Sequence, residues 1–157
     1  MNEYEILSLA EEHLDGVAEI ERLCFSEPWS RNALTLLLGE GGFGVVALLD
    51  GQVAAYGGMT FVLDEGSVTN IATHPDFRRK GLGRAVTAKM LEEAFSRGLE
   101  TVFLEVRESN VAARALYEGL CFETCGIRKN FYRKPTESAL QMIRRAETFV
   151  GGKKDRE

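Results

Sequence analysis

Two side chains in this sequence could carry protons, and both sit in segments with otherwise apolar patterns. Glu105 lies inside the run TVFLEV, residues 101–106, and Tyr117 lies in SNVAARALYEGL, residues 109–120. A carboxylate inside an apolar strand costs free energy unless it has a partner or a task. Two interpretations of Glu105 stay open: a general base, or an ion-pair partner of an arginine such as Arg107.

Tyr117 is predicted to share one helix face with Asn110 and Ala113, because the three residues fall at i, i+3 and i+7. A phenol on that face can donate a proton, although packing in the core is the commoner role of a tyrosine. Asn110 can cap the helix, and a cap is compatible with contact to a ligand.

Positive charge and bare backbone meet in HPDFRRKGLGRAV, residues 74–86. The stretch joins a predicted strand to a predicted helix, and it carries Arg78, Arg79, Lys80, Gly81, Gly83 and Arg84. A helix N-terminus offers unpaired N–H groups and a partial positive charge, and glycine lets a ligand approach the backbone. The stretch therefore favours phosphate or pyrophosphate binding over a tight turn with solvated charges.

The common nucleotide motifs do not fit this loop. A Rossmann fingerprint needs a third glycine where Val86 stands, and a P-loop needs Gly-Lys-Ser/Thr after four intervening residues. Neither a dinucleotide nor ATP is therefore favoured as the phosphate ligand.

The hydrophobic pattern predicts the elements that must position these residues. It begins with a strand near Tyr4–Leu9, a helix that buries Leu14, Val17, Ile20, Leu23 and Cys24, and a short helix capped by Ser30. GEGGFG, residues 39–44, is predicted as a loop, Asp50-Gly51 as a hairpin turn, and Gly57-Gly58 as a bulge or a close approach of backbone.

A strand over 67–73, the cationic loop and a helix that ends near Arg97-Gly98 follow. TVFLEV is predicted as a strand buried on both faces, before another helix and a closing strand pair. This order predicts a mixed α/β sheet with a central parallel pair, in a single domain over residues 1–147. Residues 148–157 are predicted to be a disordered polar tail.

Composition places limits on the class of protein. The 157 residues are 45% hydrophobic, which suits one globular domain with a full core. No apolar run is long enough to span a membrane, and the N-terminus lacks a signal-peptide pattern. The three cysteines, Cys24, Cys121 and Cys125, fit no zinc spacing. We therefore expect a cytoplasmic protein with reduced thiols and no metal.

Charge is distributed unevenly along the chain. Residues 1–70 hold 12 acidic and 2 basic side chains, whereas residues 71–157 hold 12 acidic and 17 basic ones. The first part suits a cationic partner and the second an anionic one, unless both are simply solvated surface. The pI near 5.2, and basic runs without interleaved aromatics at the loop, argue against nucleic-acid binding.

RRKGLG, residues 78–83, resembles the coenzyme A pyrophosphate loop of the GCN5-related N-acetyltransferase (GNAT) family, Arg/Gln-x-x-Gly-x-Gly/Ala. NIATHPDF before it, and LEVRESNVAARALYEGLCF after it, resemble the same family's signature, and the resemblance covers nearly the whole chain. PWS, VLDE and RKNFY resemble in particular its bacterial ribosomal-protein-alanine acetyltransferases (RimI-like).

The resemblance implies the GNAT fold, a mixed sheet of about six or seven strands with a splayed central parallel pair and about four flanking helices. It implies acetyl-CoA as cosubstrate, Glu105 as proton acceptor and Tyr117 as proton donor to the departing thiolate. The residues expected to contact acetyl-CoA are Ile71, Ala72, Thr73, Arg78, Arg79, Lys80, Gly81, Leu82, Gly83, Arg84 and Asn110.

The resemblance also places Trp29 near the acceptor, although a role as a core anchor is equally open. Tyr132 could line the same groove, and Glu27 could attract a basic peptide N-terminus. The chain departs from the family in one place, because Cys121-Phe122 stands where the signature usually has Gly-Phe. If that position needs a positive φ, Cys121 is strained or the turn is rearranged.

The sequence therefore predicts an enzyme that transfers acetyl directly from acetyl-CoA to a protein N-terminal α-amine, such as the N-terminal alanine of a ribosomal protein. The expected partner is a peptide or protein N-terminus, with no direct contact to nucleic acid or membrane. Lysine side chains or small amines are alternative acceptors. A non-catalytic acyl-CoA-binding module is a further alternative, although it would need neither Glu105 nor Tyr117.

Overall fold

A computed structural model describes residues 4–146, 149–150 and 153–154 of the chain. Within the predicted tail, Phe149–Val150 pairs antiparallel with Lys153–Lys154. The rest of that predicted tail lies outside the described residues.

Seven strands form the main sheet: β1 Tyr4–Ser8, β2 Gly42–Leu49, β3 Gln52–Val62, β4 Glu65–Thr73, β5 Thr101–Arg107, β6 Glu123–Tyr132 and β7 Glu137–Arg145. Their order in space is β1-β2-β3-β4-β5-β7-β6. All neighbours are antiparallel except β4 and β5, which run parallel at the centre. The predicted mixed sheet with a central parallel pair is confirmed.

Four α-helices connect these strands: α1 Leu14–Cys24, α2 Arg31–Leu34, α3 Leu82–Ser96 and α4 Val111–Gly119. Short 3-10 turns lie at Glu11–His13, Thr35–Leu38 and Pro75–Phe77. The Ser30 hydroxyl accepts a hydrogen bond from Ala33 N, so Ser30 caps α2 as predicted. Gly98 has a φ of +89° just after α3, which confirms the predicted end of that helix.

The core divides into two clusters, one on each face of the sheet. Successive strand residues point to opposite faces, so Val45 and Ala47 pack with α3 whereas Val46 packs with α1. Gly57 lets α3 approach the sheet, because a Cβ there would overlap the Met90 sulfur. The β3–β4 register also shifts at this point, so both expectations for Gly57-Gly58 are confirmed.

Three local predictions were wrong. Leu23 is 51% exposed, since 100° per residue places it opposite Leu14 on α1. Residues 42–44 belong to β2 rather than to a loop, and a Cβ on Gly44 would crowd Leu9. β5 alternates buried and half-buried residues, because α1 packs mainly over β3 and β4 and covers less of that face at β5.

Candidate active site

The central parallel strands separate and create the site. β4 and β5 are paired only where Glu65–Ser67 faces Thr101–Phe103, and beyond that point no ladder joins them. The remaining residues of β4 therefore have a sheet neighbour only on the β3 side. This gap is the splayed central pair that the family resemblance predicts.

A cavity of about 500 Å³ opens beside this gap. It brings together seven of the predicted site residues: Glu27, Trp29, Ile71, Glu105, Asn110, Tyr117 and Tyr132. The residues expected to hold the cofactor's phosphates, together with Ala72 and Thr73, do not line the cavity. The site thus consists of a cavity with the candidate acid and base, and a separate cationic loop.

Glu105 faces the cavity from β5 with its side chain 24% exposed. Its ion-pair partner is Arg128 on β6, at 3.4 Å between Nε and Oε2. The sheet register explains this contact, because Glu105 lies opposite Gln141 of β7, and Arg128 lies opposite Ala139 of the same strand. The ion pair weighed for Glu105 therefore exists, but with Arg128 rather than with Arg107.

Arg107 has a different function, which is to hold the β6–β7 turn. Its guanidinium donates to the carbonyl oxygens of Arg133 and Pro135 and pairs with Glu137 at 3.2 Å. Glu137 also accepts a hydrogen bond from Ser109 N, and this bond, followed by Arg107, lowers the pKa of its carboxyl. The β6–β7 turn is thereby tied to the turn that precedes α4.

Tyr117 reaches the cavity from α4, where only 8% of its surface is exposed. Burial, followed by the neighbouring Tyr132 phenol, raises the pKa of Tyr117 to about 12. Its hydroxyl makes no hydrogen bond to any part of the chain that the structure describes. A phenol that keeps its proton at neutral pH and has no protein acceptor is suited to act as a proton donor.

Tyr132 lines the same cavity as the two candidate catalytic groups. Burial raises its pKa to about 12, with the Glu105 charge adding to the rise and the Arg107 charge opposing it. The Arg107 guanidinium lies 4.5 Å from the centre of the Tyr132 ring, which fixes the ring against the cavity wall. The charge of Glu105 therefore contributes to the raised pKa of Tyr132, and Tyr132 contributes to the raised pKa of Tyr117.

The turn after α4 positions Tyr117. Phe122 N donates to Tyr117 O and Cys121 N donates to Glu118 O, the bonding pattern of a Schellman motif. The Phe122 ring packs edge-to-face on Tyr117 at 5.8 Å between centroids. Cys121 has a φ of +72°, so the strain expected from a non-glycine residue at this position is present.

Asn110 caps α4 through its side chain, which accepts a hydrogen bond from Ala113 N. The capping role considered for Asn110 is therefore present, and the residue also lines the cavity. Its contact with the cofactor stays a prediction.

The cationic loop leads into α3 with its backbone donors free. Gly81 is the N-cap with a φ of +78°, and within the described part of the chain no side chain caps the helix. The first helical bond runs from Ala85 N to Gly81 O, which leaves the N–H groups of Leu82, Gly83 and Arg84 without helical acceptors. This arrangement is suited to a pyrophosphate.

Arg78 connects this loop to the cavity. Its guanidinium donates to Thr73 O at 3.3 Å and to Cys24 Sγ at 3.4 Å, and Cys24 lines the cavity. A Cβ on Gly83 would lie 3.7 Å from Thr73 Oγ1, so α3 begins beside the end of β4. Loop, strand end and cavity are therefore contiguous.

Ile71 and Ala72, two of the residues of β4 that are expected to contact acetyl-CoA, face different surroundings. Ile71 lines the cavity, whereas the Ala72 side chain is buried in the cluster that contains α1. The small size of Ala72 therefore serves core packing, and only its backbone could meet a ligand. Thr69 Oγ1 is buried beside the same gap and has no hydrogen-bond partner among the described residues, so a polar group there is available to a ligand.

Two loops form the outer walls of the cavity. Trp29 is half-buried against the α1 cluster and also lines the cavity. The same side chain therefore anchors this segment to the core and forms part of the cavity wall. Glu27, next to it, pairs with Arg133 of the β6–β7 turn at 3.2 Å. This exposed ion pair bridges the two walls, so Glu27 already has a cationic partner within the chain.

Glu21 was not predicted as part of the site. It is fully buried on α1, and its carboxylate accepts hydrogen bonds from Trp29 N, Asn70 Nδ2 and Tyr56 O–H. Because Glu21 follows Leu14 by seven residues and Val17 by four, it falls on the buried stripe of the helix. An acidic residue on an apolar stripe was the signal that could have identified it.

The model of the acetyltransferase (GNAT) family matches residues 14–121, a segment that contains the cationic loop, Glu105 and Tyr117. The chain belongs to the GNAT family. The fold of this acetyltransferase, its splayed strands and its free helix N-terminus agree with that membership.

Bacterial relatives share sequence with most of this acetyltransferase. A ribosomal protein bS18-alanine N-acetyltransferase of Escherichia coli (strain K12) is 40% identical over 127 residues, which cover 81% of this chain and 86% of the relative. The protein of the same name from Salmonella typhimurium is 40% identical over 132 residues, covering 84% and 88%.

The solved structures include a crystal structure of the ribosomal-protein-S18-alanine N-acetyltransferase from Escherichia coli. It superimposes with a TM-score of 0.87 at 36% identity and covers 95% of this acetyltransferase and 97% of its own chain. The architecture of the two chains is therefore the same.

The residues that the structure describes contain no group of three or more His, Cys, Asp or Glu side chains that could hold a metal ion. Over those same residues, no helix is both long and apolar enough to cross a membrane.

Proposed function

We propose that this acetyltransferase transfers acetyl from acetyl-CoA to the α-amine of a protein N-terminus, and specifically to the N-terminal alanine of ribosomal protein bS18 in the cytoplasm. The observation that carries the proposal is that Glu105 and Tyr117 line one cavity between the splayed strands. The names of the relatives that are 40% identical supply the acceptor.

Residues of the cationic loop would hold the cofactor. The free N–H groups at the start of α3, together with Arg79, Lys80 and Arg84, suit the pyrophosphate. Arg78 would hold the loop in place, since it already contacts Thr73 O and Cys24 Sγ. When bound, acetyl-CoA supplies the acetyl group as an activated thioester.

Glu105 and Tyr117 would move the two protons of the transfer. Glu105 accepts a proton from the acceptor amine, directly or through a water molecule, so that a neutral nitrogen attacks. Tyr117 donates its phenol proton to the departing thiolate, and burial keeps that proton in place until it is needed. Tyr132 and Asn110 complete the walls around the reacting groups.

An α-amine suits this site better than a lysine. At pH 7.5 about a third of α-amines, but only about 0.1% of lysine side chains, are neutral, since their pKa values are near 7.8 and 10.4. A carboxylate base such as Glu105 therefore suits an α-amine, which is the more easily deprotonated of the two.

Intact-mass analysis of two peptides tests the proposal. One peptide carries the free N-terminal alanine of bS18 and an internal lysine, and the other is identical but blocked at its N-terminus. Each is incubated with the protein and acetyl-CoA. We expect the free peptide alone to gain one acetyl group.

The other outcomes each contradict part of the proposal. Acetylation of the blocked peptide would identify lysine as an acceptor and remove the α-amine specificity. If neither peptide changed while small amines were acetylated, the acceptor would not be a protein. If nothing were acetylated while acetyl-CoA bound, the chain would be an acyl-CoA-binding module.

A further inference from the structure

A buried carboxylate behind the cavity has no place in the proton transfers described above. Glu21 has no exposed surface, and among the described residues it forms no ion pair. Burying a charged group away from water costs free energy unless hydrogen bonds compensate for the lost hydration. The chain provides three hydrogen bonds to the Glu21 carboxylate, which compensate for its removal from water.

The partners of Glu21 are all donors. Oε1 accepts from Trp29 N at 2.8 Å, and Oε2 accepts from Asn70 Nδ2 at 2.9 Å and from the Tyr56 hydroxyl. An ionised carboxylate can only accept hydrogen bonds, so this set of partners matches that form. Burial, followed by the Glu21 charge, raises the pKa of Tyr56, which keeps its hydroxyl a donor.

Two of these partners are walls of the cavity. Asn70 lines it from β4, and Trp29 lines it from the irregular segment between α1 and α2. Phe25 and Trp29 of that segment pack against the α1 cluster, and the Glu21 bond adds a directional link from the segment's backbone to the interior. The ion pair Glu27–Arg133, by contrast, is exposed to solvent. An exposed ion pair contributes little to fixing a loop.

We propose that Glu21 is a positioning residue for the acceptor, because it holds Trp29 and Asn70 in one fixed relation across the cavity. The identity of the acceptor rests on the proposed function, but the positioning of Trp29 does not. Loss of this carboxylate loosens the wall that meets the acceptor. The cationic loop and the pair Glu105 and Tyr117 are held by other contacts.

The test compares Glu21→Gln with the matched control Tyr56→Phe. Glu21→Gln places an amide, with one donor end, against three donors, whereas Tyr56→Phe removes one donor and leaves the Trp29 bond intact. We expect Glu21→Gln to raise the KM for the bS18 N-terminal peptide about tenfold, from the usual cost of disrupting a charged hydrogen bond. Its kcat and the Kd for acetyl-CoA should change less than about twofold. The interaction that is lost stabilises the bound peptide equally in the ground state and in the transition state.

The only tryptophan of the chain supplies a readout that does not depend on turnover. We expect Trp29 emission in Glu21→Gln to shift to longer wavelength and to be quenched more readily by acrylamide. Tyr56→Phe should lower the melting temperature but leave both the emission and the peptide KM as in the parent protein. If Glu21→Gln did not fold, Glu21→Asp would replace it in the test. Its side chain is one methylene shorter, so the carboxylate moves away from its donors and the peptide KM should rise in the same way.

A folded Glu21 variant with unchanged Trp29 emission and an unchanged peptide KM would overturn the proposal. An equal loss of melting temperature in Glu21→Gln and Tyr56→Phe, with no split between KM and kcat, would overturn it as well and assign Glu21 to stability alone. If the parent protein did not acetylate the peptide, the proposed function would fail, and the emission comparison would still decide the role of Glu21.

Discussion

Glu105 combines two properties at the residue scale, a place in the cavity wall and an ion pair with Arg128. The Arg128 side chain is 53% exposed, so solvent screens the pair. Exposed ion pairs contribute about 0–1 kcal/mol, which is too little to explain a large loss of activity. The base and the ion-pair interpretations of Glu105 therefore predict different results for Arg128.

Arg128→Gln separates the two interpretations. If Glu105 is the base, this change should lower kcat/KM for the acceptor peptide by less than about fivefold, the equivalent of about 1 kcal/mol. Steady-state kinetics beside Glu105→Gln measure the difference. A loss in Arg128→Gln as large as the loss in Glu105→Gln would mean that the ion pair, and not proton transfer, is what Glu105 provides.

Tyr117→Phe removes the candidate acid and retains the ring that packs on Phe122. General acid catalysis contributes about 100-fold or more, so we expect kcat to fall by about that factor. Because the raised pKa of Tyr117 is about 12, the protonated form persists below that pH, and its ionisation should cause no loss of parent activity between about pH 7 and 10. A variant with kcat within threefold of the parent would exclude Tyr117 as the donor.

At the scale of the elements, the site depends on a few turns, and the turn after α4 is one that contains a non-glycine residue with positive φ. Cys121 takes the left-handed backbone conformation, with a φ of +72°, at the position where a Schellman motif prefers glycine. The same turn sets Tyr117 against Phe122. Strain at this turn is therefore tolerated next to a candidate catalytic residue.

Cys121→Gly should stabilise the protein by about 1 kcal/mol, the relief of a left-handed non-glycine residue less the extra entropy of glycine. Urea unfolding beside Cys121→Ala measures this, because alanine removes the thiol and keeps the strain. A glycine variant no more stable than the alanine variant would show that φ at this position costs nothing.

Sequence patterns predicted those elements whose signals are local. The cations and glycines of residues 78–84 mark the helix start, and Asp50-Gly51 marks the hairpin, where both residues have positive φ. The contact between Glu105 and Arg128 could not be predicted, because it depends on the register of three strands. Leu23 was predicted to be buried because it is apolar, but the 100° step of the helix places it on the exposed face, whereas Glu21 lies on the buried one.

At the scale of the whole molecule, an ion pair joins the acidic and the basic parts of the chain. Glu27, which was expected to attract a basic acceptor, is paired with Arg133 from the basic part of the chain. The acidic and basic parts therefore meet across the mouth of the cavity. The net charge of each part therefore does not by itself give the electrostatic field at the mouth of the cavity.

Binding of acetyl-CoA should stabilise the whole domain. A ligand that binds only the folded state at 100 times its Kd adds about 2.7 kcal/mol, which corresponds to a rise of about 5–10 °C in melting temperature. Thermal unfolding with and without acetyl-CoA measures this rise. Lys80→Glu should reduce it by weakening the pyrophosphate site, and no shift in the parent at millimolar acetyl-CoA would contradict the assignment of the loop.

The most direct test of the central claim, that Glu105 is the base of an acetyl transfer, is turnover by Glu105→Gln together with its affinity for acetyl-CoA. Glutamine has nearly the same volume and cannot accept the proton, so we predict a fall in kcat of about 100-fold or more with an unchanged Kd for acetyl-CoA. Turnover within a few fold of the parent at the same Kd would contradict the claim.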